Sequence, residues 1–501
     1  MQIAPPKIQL YCMKVRQLIK KLEPLGNNSI SCDFEVRGIS CNSKTVEDGF
    51  VFVAVKGSRQ DGNKFIDEAI QRGAKAIVAQ GFRNGKLKNI CNVALIKVKD
   101  ARQALARLAT EFYSNPSSKI KVVGITGTNG KTTITYLIEA ILKEARSKPA
   151  VIGTINYRFN GKEIPSKNTT PGPIELQAML ADMAKEDIDY AIMEVSSHAL
   201  DQDRTEGINF SSAIFTNLTQ DHLDYHKTLG NYFKAKARLF RGMDRGAFAV
   251  INNDDKYARQ LKKLTRAKII TYGIENDSDV TAKNIKSCVN HTEFLLKAPG
   301  IEADLSVNLI GRHNLYNILS AVAWAIEDGL DFNVIKRAVE EFSLVPGRLE
   351  KVELGQSFSV FVDYAHTEDA LKNIISALRN LTGKRIIVVF GCGGDRDKTK
   401  RPKMGRVVTE LADFAIITSD NPRSEDPLKI IAEIKKGIRR SNYSVMPDRH
   451  EAIKESLSLA KAGDIVLLAG KGHETYQVLK DMTVHFDDRE VVKECLKSVN
   501  Y

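Results

Sequence analysis

Residues 122–133, Val-Val-Gly-Ile-Thr-Gly-Thr-Asn-Gly-Lys-Thr-Thr, bring together the residue types that bind phosphate. A β-branched strand runs into a glycine-rich turn, and a helix begins at Thr132-Thr133. Such a turn aims successive backbone N–H groups into one concavity at a helix N-terminus, where phosphate oxygens bind. Lys131 adds a point charge for the outer phosphates, and the Thr132 hydroxyl can ligate magnesium. The glycines fall at 124, 127 and 130, so the strict G-x-x-x-x-G-K-[ST] pattern is broken, with Ile125 standing where its first glycine belongs. A loop of this kind can also be a plain tight turn. The Lys-Thr pair and the strand before it favour a nucleotide.

Further polar clusters follow apolar runs, where strands should end. Glu194 closes Tyr190–Val195, with Ser196, Ser197 and His198 after it, and His222 lies in the stretch 216–226 after Ser212–Thr216. A carboxylate and an imidazole on neighbouring strand ends, beside the Thr132 hydroxyl, could bind a divalent cation. A histidine alone is more often a turn or core residue than a ligand, and it is the neighbours of His222 that bring metal ligation level with that reading. Later come the glycine- and cation-rich 390–401, then 419–426 with Asp420, Asn421, Pro422 and Arg423, then Gly470-Lys-Gly-His-Glu474. Arginines on rigid strand ends suit bidentate carboxylate binding, and a glutamate suits an ammonium. Together these loops could hold an amino acid.

Short apolar strands alternate with helical stretches along the chain, which predicts α/β structure with mostly parallel sheets. Strands are expected at Phe50–Val55, Ala76–Ala79, Tyr190–Val195, Ser212–Thr216, Ala247–Ile251, Phe358–Val362, Arg385–Phe390, Phe414–Thr418 and Asp464–Leu468, and helices at Arg102–Tyr113 and Asn314–Gly329. The turn-rich Ser114–Ser118 and Val345–Arg348 mark boundaries and candidate hinges. The chain therefore reads as a small N-terminal α/β domain (1–115), a central P-loop-type domain with a mostly parallel sheet (116–345), and a C-terminal Rossmann-like doubly wound domain (346–501).

At 501 residues, 43% hydrophobic and 27% charged, the chain has ample core for several domains. Its seven cysteines form no C-x-x-C pair, which argues against a disulfide framework and a cysteine-based zinc site. Residues 1–7 carry no apolar targeting core and no run is long enough to span a bilayer, so a cytoplasmic protein without membrane insertion is expected. The net charge of +13 is concentrated in residues 1–115, which hold 19 Lys and Arg against 10 Asp and Glu. A solvated basic surface, an anionic small molecule and nucleic acid could each account for it. No dense basic run interleaved with aromatics appears, so nucleic acid is the weakest reading and is not expected as a partner.

On these motifs the chain resembles the Mur ligase family, the ATP-dependent amino-acid-adding enzymes of peptidoglycan synthesis. The likeness covers essentially the whole sequence and extends to the diaminopimelate-adding version. The family's own phosphate loop matches residues 124–133, which explains the absent glycine. The resemblance implies that Gly127, Thr128, Asn129, Gly130, Lys131, Thr132 and Thr133 hold ATP, with Asn314, Asn317, Arg348, Asp363 and His366. It implies a magnesium centre served by Thr132, Glu194, His222 and a carbamylated Lys236, and a catalytic group of Lys131, Glu194, His222 and Lys236. Lys234 lies two residues away, so Lys236 is chosen on its spacing before Leu239-Phe240.

The resemblance also places a uridine-diphosphate pocket at Asn42-Ser43-Lys44 and at Ser58, Arg59 and Gln60. Asn168, Thr169, Thr170, Ser196, Gln202 and Arg204 would contact the rest of a UDP-N-acetylmuramoyl dipeptide. Arg396, Asp420, Asn421, Pro422, Arg423, Gly470 and Glu474 would bind diaminopimelate, and Arg423 would pair with the distal carboxylate that lysine lacks. The implied reaction is amide formation through an acyl phosphate, by a monomer whose partners are small molecules. A lysine-adding relative, a folylpolyglutamate-synthetase-like ligase, a D-Ala-D-Ala-adding ligase and a nucleotide switch without ligase activity are the alternatives.

Overall fold

A computed structural model describes residues 13–22, 33–57, 60–81, 92–287 and 291–498. The chain divides into two compact units, Met1–Gly124 with Lys148–Ser212, and Ile125–Ser147 with Ala213–Tyr501. No helix among the described residues is long and apolar enough to cross a membrane.

In the first unit, Gly38–Ser40, Phe50–Ala54, Ala74–Ala79 and Ala94–Lys97 form a four-stranded parallel sheet in chain order. Side chains alternate between two buried faces: Val51, Val53, Ala76 and Val78 pack with helix Ala101–Phe112, while Phe52, Ile77 and Ala79 pack with Ile66 and Ala69. That helix starts where the Asp100 carboxylate accepts the N–H of Arg102 at 2.8 Å and of Gln103 at 3.3 Å. The turn-rich segment after it is packed: Pro116 and Ser117 are buried in a short 3₁₀ turn, and Ser117 Oγ accepts Asn209 N–H at 3.0 Å. Further along, Tyr190–Glu194 runs parallel to Pro149–Ile152, with an antiparallel hairpin at Asn156–Phe159 and Lys162–Pro165.

The second unit contains helix Lys131–Glu144 and the parallel strands Phe248–Asn252, Lys268–Gly273 and Val280–Ser287. The chain then turns antiparallel through Thr292–Ala298 and Ile301–Val307. This meander is absent from the expected strand–helix alternation. Its strands bury only one side, so their residues alternate rather than forming apolar runs. Helix Arg312–Glu327 follows, with Trp324 fully buried.

The C-terminal part of this unit is a six-stranded sheet in the order Glu350–Val352, Ser359–Asp363, Ile465–Ala469, Ile386–Phe390, Phe414–Ile417, Tyr443–Val445. Only the first pair is antiparallel. Ile386, Val388 and Phe390 face one core and Ile387 and Val389 the other, which is why these strands read as unbroken apolar runs. Strand Ile465–Ala469, last in sequence, lies between Ser359–Asp363 and Ile386–Phe390. Connections therefore leave in opposite directions at that point, and the loops after four strands gather in the crevice where such sheets bind ligands.

Candidate active site

The phosphate loop belongs to the second unit. Gly127 and Gly130 adopt φ of 153° and 89°, and a Cβ on either would lie 1.8 Å from Thr216 Oγ1 or 2.4 Å from Asn317 Oδ1. Only glycine lets the backbone pass there. Thr128 N–H donates to the Asn217 carbonyl at 2.9 Å, and Asn129 N–H to Asn217 Oδ1 at 3.0 Å. No side chain caps the N-terminus of helix Lys131–Glu144, so its first N–H groups keep their direction toward the loop. Lys131 Nζ donates to the carbonyls of Gly127 and Thr128, both at 3.0 Å. Thr132 and Thr133 are buried in the first turn, and Arg348 Nη2 donates to Thr132 Oγ1 at 3.1 Å.

Beside the loop, Lys236 is 2% exposed and donates to the Gly127 carbonyl at 2.7 Å. Its Nζ lies 4.6 Å from the centre of the Tyr232 ring, whose hydroxyl is 3.3 Å from Thr128 Oγ1. Burial and the Lys131 ammonium drive the Lys236 amine well below the ordinary lysine range, against the pull of Asp221. Lys234, the other candidate, is exposed. His222 has φ of 54°, and its Nε2 lies 3.5 Å from Asp221 Oδ2. Asp221 also faces Lys400 at 3.7 Å and His366 at 3.8 Å. Burial would raise its carboxyl, but Lys400, His222 and His366 outweigh that and hold it well below the carboxylate range.

Asn317 Nδ2 donates to Asn314 Oδ1 at 3.1 Å, and Asn314 Nδ2 to the Ile310 carbonyl at 2.9 Å. Both asparagines are thus fixed on one helical face next to Gly130. The Arg348 guanidinium lies 4.6 Å from the Tyr364 ring centre. Val345–Arg348, the second expected boundary, closes on itself in a β-bridge, and a Cβ on Gly347 would sit 2.0 Å from His473 N. Asp363 accepts Leu349 N–H and Ala365 N–H, each at 2.6 Å. Burial raises its carboxyl to about 6, against Arg348 and those donors, while burial and Lys400 lower His366 to about 4. The Asn129 amide reaches Asp369 Oδ2 at 2.9 Å.

The three C-terminal loops meet. Asn421 Nδ2 donates to Glu474 Oε2 at 2.8 Å, and Val478 N–H donates to Asn421 Oδ1 at 2.8 Å. A Cβ on Gly470 would lie 2.6 Å from Asp420 Oδ2, at a φ of 116°. Arg423 Nη1 donates to the Gly394 carbonyl at 2.9 Å and lies 2.8 Å from where a Gly393 Cβ would be, with Arg396 Cγ at 3.8 Å from the same point. Pro422 O crowds Gly394 in the same way, at 1.9 Å. Burial and Asp420 raise the Glu474 carboxyl, although buried Lys471 lies 3.4 Å from it.

The first unit holds the remaining residues. Thr154 donates to Glu194 through both N–H and hydroxyl at 2.9 Å. Thr170 Oγ1 donates to the Glu194 carbonyl at 2.8 Å and accepts Ser196 N–H at 3.0 Å. Arg204 donates to the Thr170 carbonyl at 3.0 Å and to Gln202 Oε1 at 2.7 Å. Thr169 Oγ1 is 3.1 Å from Thr154 Oγ1, and the Asn168 carbonyl accepts Tyr157 OH at 2.5 Å. Ser43 Oγ donates to Glu68 at 2.7 Å, and the Gln60 carbonyl accepts Gly57 N–H at 2.8 Å. Ser58 and Arg59 lie outside the described residues.

Of the expected metal set, Glu194 thus belongs to one unit and Thr132, His222 and Lys236 to the other. No group of three or more His, Cys, Asp or Glu side chains among the described residues is arranged to hold a metal ion. Sequence reasoning did not single out Asp221, Tyr232, Asp369, Lys400 or Lys471. The acid beside His222 and the lysine inside Gly-Lys-Gly-His-Glu were the available signals.

An α/β chain with a glycine-rich phosphate loop and a separate crevice lined by arginines has the make-up of a nucleotide-dependent ligase. The Mur ligase middle domain matches residues 125–325, the Mur ligase glutamate ligase domain 347–472, and the Mur ligase family catalytic domain 35–113. The chain belongs to the Mur ligase family. It is 44% identical to the UDP-N-acetylmuramoyl-L-alanyl-D-glutamate–2,6-diaminopimelate ligase of Clostridium tetani, over 97% of this chain and 100% of that one. It is 45% identical to such a ligase (numbered 1) of Clostridium acetobutylicum, over 93% and 95%. A solved structure of a ligase with the same name superposes with a TM-score of 0.66 at 33% identity, over 93% of this chain and 95% of that chain.

Proposed function

We propose that this protein is an ATP-dependent amide ligase that joins meso-2,6-diaminopimelate to the D-glutamyl γ-carboxylate of UDP-N-acetylmuramoyl-L-alanyl-D-glutamate, in peptidoglycan precursor synthesis. Relatives at 44–45% identity carry that activity in their names. In the chain itself, the observation that supports it most is the Arg423 guanidinium beside Gly393, with the Arg396 Cγ near the same point and Asn421 joined to Glu474. The Arg423 guanidinium suits a carboxylate, and the Glu474 carboxylate suits an ammonium. Segments 1–115, 116–345 and 346–501 would supply the uridine-diphosphate, ATP and amino-acid sites. The reaction would run in the cytoplasm, on a monomer.

The D-glutamyl carboxylate oxygen attacks the γ-phosphorus of ATP, ADP leaves with the bonding pair, and an acyl phosphate forms. Loop N–H groups, Lys131 and Arg348 offset charge on the transferring phosphoryl group. The neutral amine of diaminopimelate attacks the acyl carbon, loses its proton, and phosphate departs from the tetrahedral intermediate. Glu474 orients that amine by accepting from its ammonium before deprotonation.

Magnesium takes oxygen donors and keeps several waters, so one or two protein oxygens beside the triphosphate suffice. The buried Thr132 hydroxyl at the loop fits that need; the His222 nitrogen is a poorer donor for a hard cation. The ion would neutralise phosphate charge when bound. Lys236 fits only after modification. Burial and the Lys131 ammonium push its amine well below the ordinary lysine range, toward the neutral form, and a neutral amine adds CO₂ with release of one proton to give an anionic carbamate.

The deciding experiment is phosphate release with ATP, magnesium and UDP-N-acetylmuramoyl-L-alanyl-D-glutamate, comparing meso-diaminopimelate with L-lysine. Strong preference for diaminopimelate is expected. Preference for lysine would make this a lysine-adding relative. No release with either would point to another ligase of the superfamily, such as a folylpolyglutamate-synthetase-like enzyme.

A further inference from the structure

Arg401 has the most heavily paired guanidinium in the C-terminal sheet's crevice, and no role assigned above uses it. Its side chain is fully buried in the first turn of helix Arg401–Leu411. A cation there opposes the helix dipole, so the position needs compensation. Compensation comes from two acids: Nη1 donates to Glu425 Oε2 at 2.9 Å and to Glu433 Oε2 at 2.8 Å, and Nη2 donates to Glu425 Oε1 at 2.8 Å. The same Nη2 donates to the Gly393 carbonyl at 3.1 Å.

The partners matter more than the pair. Glu425 lies two residues from Arg423, and Gly393 three from Arg396. Glu425 Oε1 also accepts Asp395 N–H at 2.6 Å, and Ser424 Oγ donates to Asp395 Oδ1 at 2.7 Å. Gly394 N–H donates to the Asn421 carbonyl at 2.9 Å, while Arg423 Nη1 donates back to the Gly394 carbonyl. Arg423 itself is held at φ 52°, a left-handed conformation that a non-glycine residue keeps only when its surroundings impose it. One buried planar fork thus ties together the two loops that carry Arg396 and Arg423.

We infer that Arg401 is a positioning residue: through Glu425 and the Gly393 carbonyl it fixes the spacing of the two arginine-bearing loops, and so sets selectivity for an amino acid with a second carboxylate. The inference rests on the amino-acid site proposed above. A lysine at 401 would keep the charge but could not span both Glu425 oxygens and Gly393 in one plane. Glu433 holds Arg401 from helix Pro427–Lys435, outside the segments 390–401 and 419–426, so it should matter less.

The test measures KM and kcat with meso-diaminopimelate, L-lysine, ATP and the UDP-linked acceptor for the intact wild type, Arg401→Lys, Glu425→Gln and Glu433→Gln. Wild-type preference for diaminopimelate establishes the underlying reading; without it, that reading fails before the variants are considered. Given it, Arg401→Lys and Glu425→Gln should raise KM for diaminopimelate about tenfold or more and narrow its preference over lysine. Their KM for ATP should move less than about twofold, and Glu433→Gln should keep the wild-type preference. A general loss of fold would move all the constants together, which thermal unfolding of the same samples would register. Unchanged preference in both Arg401→Lys and Glu425→Gln, or a parallel rise in KM for ATP, overturns the inference.

Discussion

Cations are held differently at the phosphate loop and in the C-terminal crevice. At the loop, Lys131 donates to the Gly127 and Thr128 carbonyls, and the buried Lys236 amine, held well below the ordinary lysine range, donates to the Gly127 carbonyl. In the crevice the fully buried cations rest on carboxylates, with Arg401 on Glu425 and Glu433, Lys471 on Glu474, and Arg449 on Asp488, whereas Arg423 rests on the Gly394 carbonyl. Under the proposed function, Lys131 and Arg348 at the loop would supply charge for an entering triphosphate. In the crevice the buried Arg401, Lys471 and Arg449 are balanced by acids, so under the same proposal selectivity would come from where Arg423 points rather than from net field. One region would then attract and the other would measure.

The comparison is sharpest where a cation is removed. Lys131→Ala should lower kcat by roughly 10²–10³-fold for every amino acid offered, because it removes charge stabilisation of phosphoryl transfer. Phosphate release reads this; a defect confined to KM for diaminopimelate would break the distinction. Arg423→Ala should cut kcat/KM for diaminopimelate by about 10²-fold and leave KM for ATP nearly constant, since a distal carboxylate would be left without its partner.

A matched pair of glycines separates the regions more finely. Gly130→Ala and Gly470→Ala both place a Cβ against a polar side chain at positive φ. Each should cost about 1–3 kcal/mol of stability in urea unfolding. The first should raise KM for ATP and the second KM for diaminopimelate, and an exchange of those effects would count against the site assignments.

The smallest expected effect is one the two regions share. Burial lowers His313 and His366 to about 4 and His473 to about 3. The folded state then binds fewer protons than the unfolded state below the ordinary histidine value near 6.5, so stability present at neutral pH is lost as pH falls toward 4. Asp363, raised to about 6, acts in the opposite sense, because its contribution is present at low pH and lost as pH rises through 6. Asp255, Asp369 and Glu474 are raised by burial as well and act in the same sense as Asp363, but the three histidines titrate near 6.5 in the unfolded chain and set the sign between pH 7 and pH 5. Tm should fall from pH 7 to pH 5, and His473→Asn should flatten that slope; a Tm that rises on acidification would reverse the argument.

Contiguous features were legible before any coordinates. The phosphate loop is one stretch whose glycines, lysine and threonine act through their own backbone. The parallel strands showed as apolar runs because both faces are buried, and observed ends fall within one or two residues of those expected, as at Ile465–Ala469 and Phe210–Phe215. The 280–307 meander was not legible, since one-sided burial leaves only a weak alternation. Lys236 and Lys234 are instructive. Two residues apart on helix Leu229–Arg241, they stand on opposite sides, and helical periodicity with Tyr232, Phe233 and Phe240 already turns position 236 inward.

The sequence by itself determined the class of chemistry: a phosphate cradle, arginine-rich strand ends, and α/β elements to carry them, each set by residues near one another in the chain. Only the tertiary structure decided that Glu425 and Gly393 share Arg401, that Asp221 faces Lys400 and His366, and that Asn421 meets Glu474. These partners lie from 8 to 179 residues apart. No local propensity encodes such pairs; they form because strand order in a twisted sheet brings distant carboxyl ends to one crevice, where burial makes unpaired charge too costly to leave.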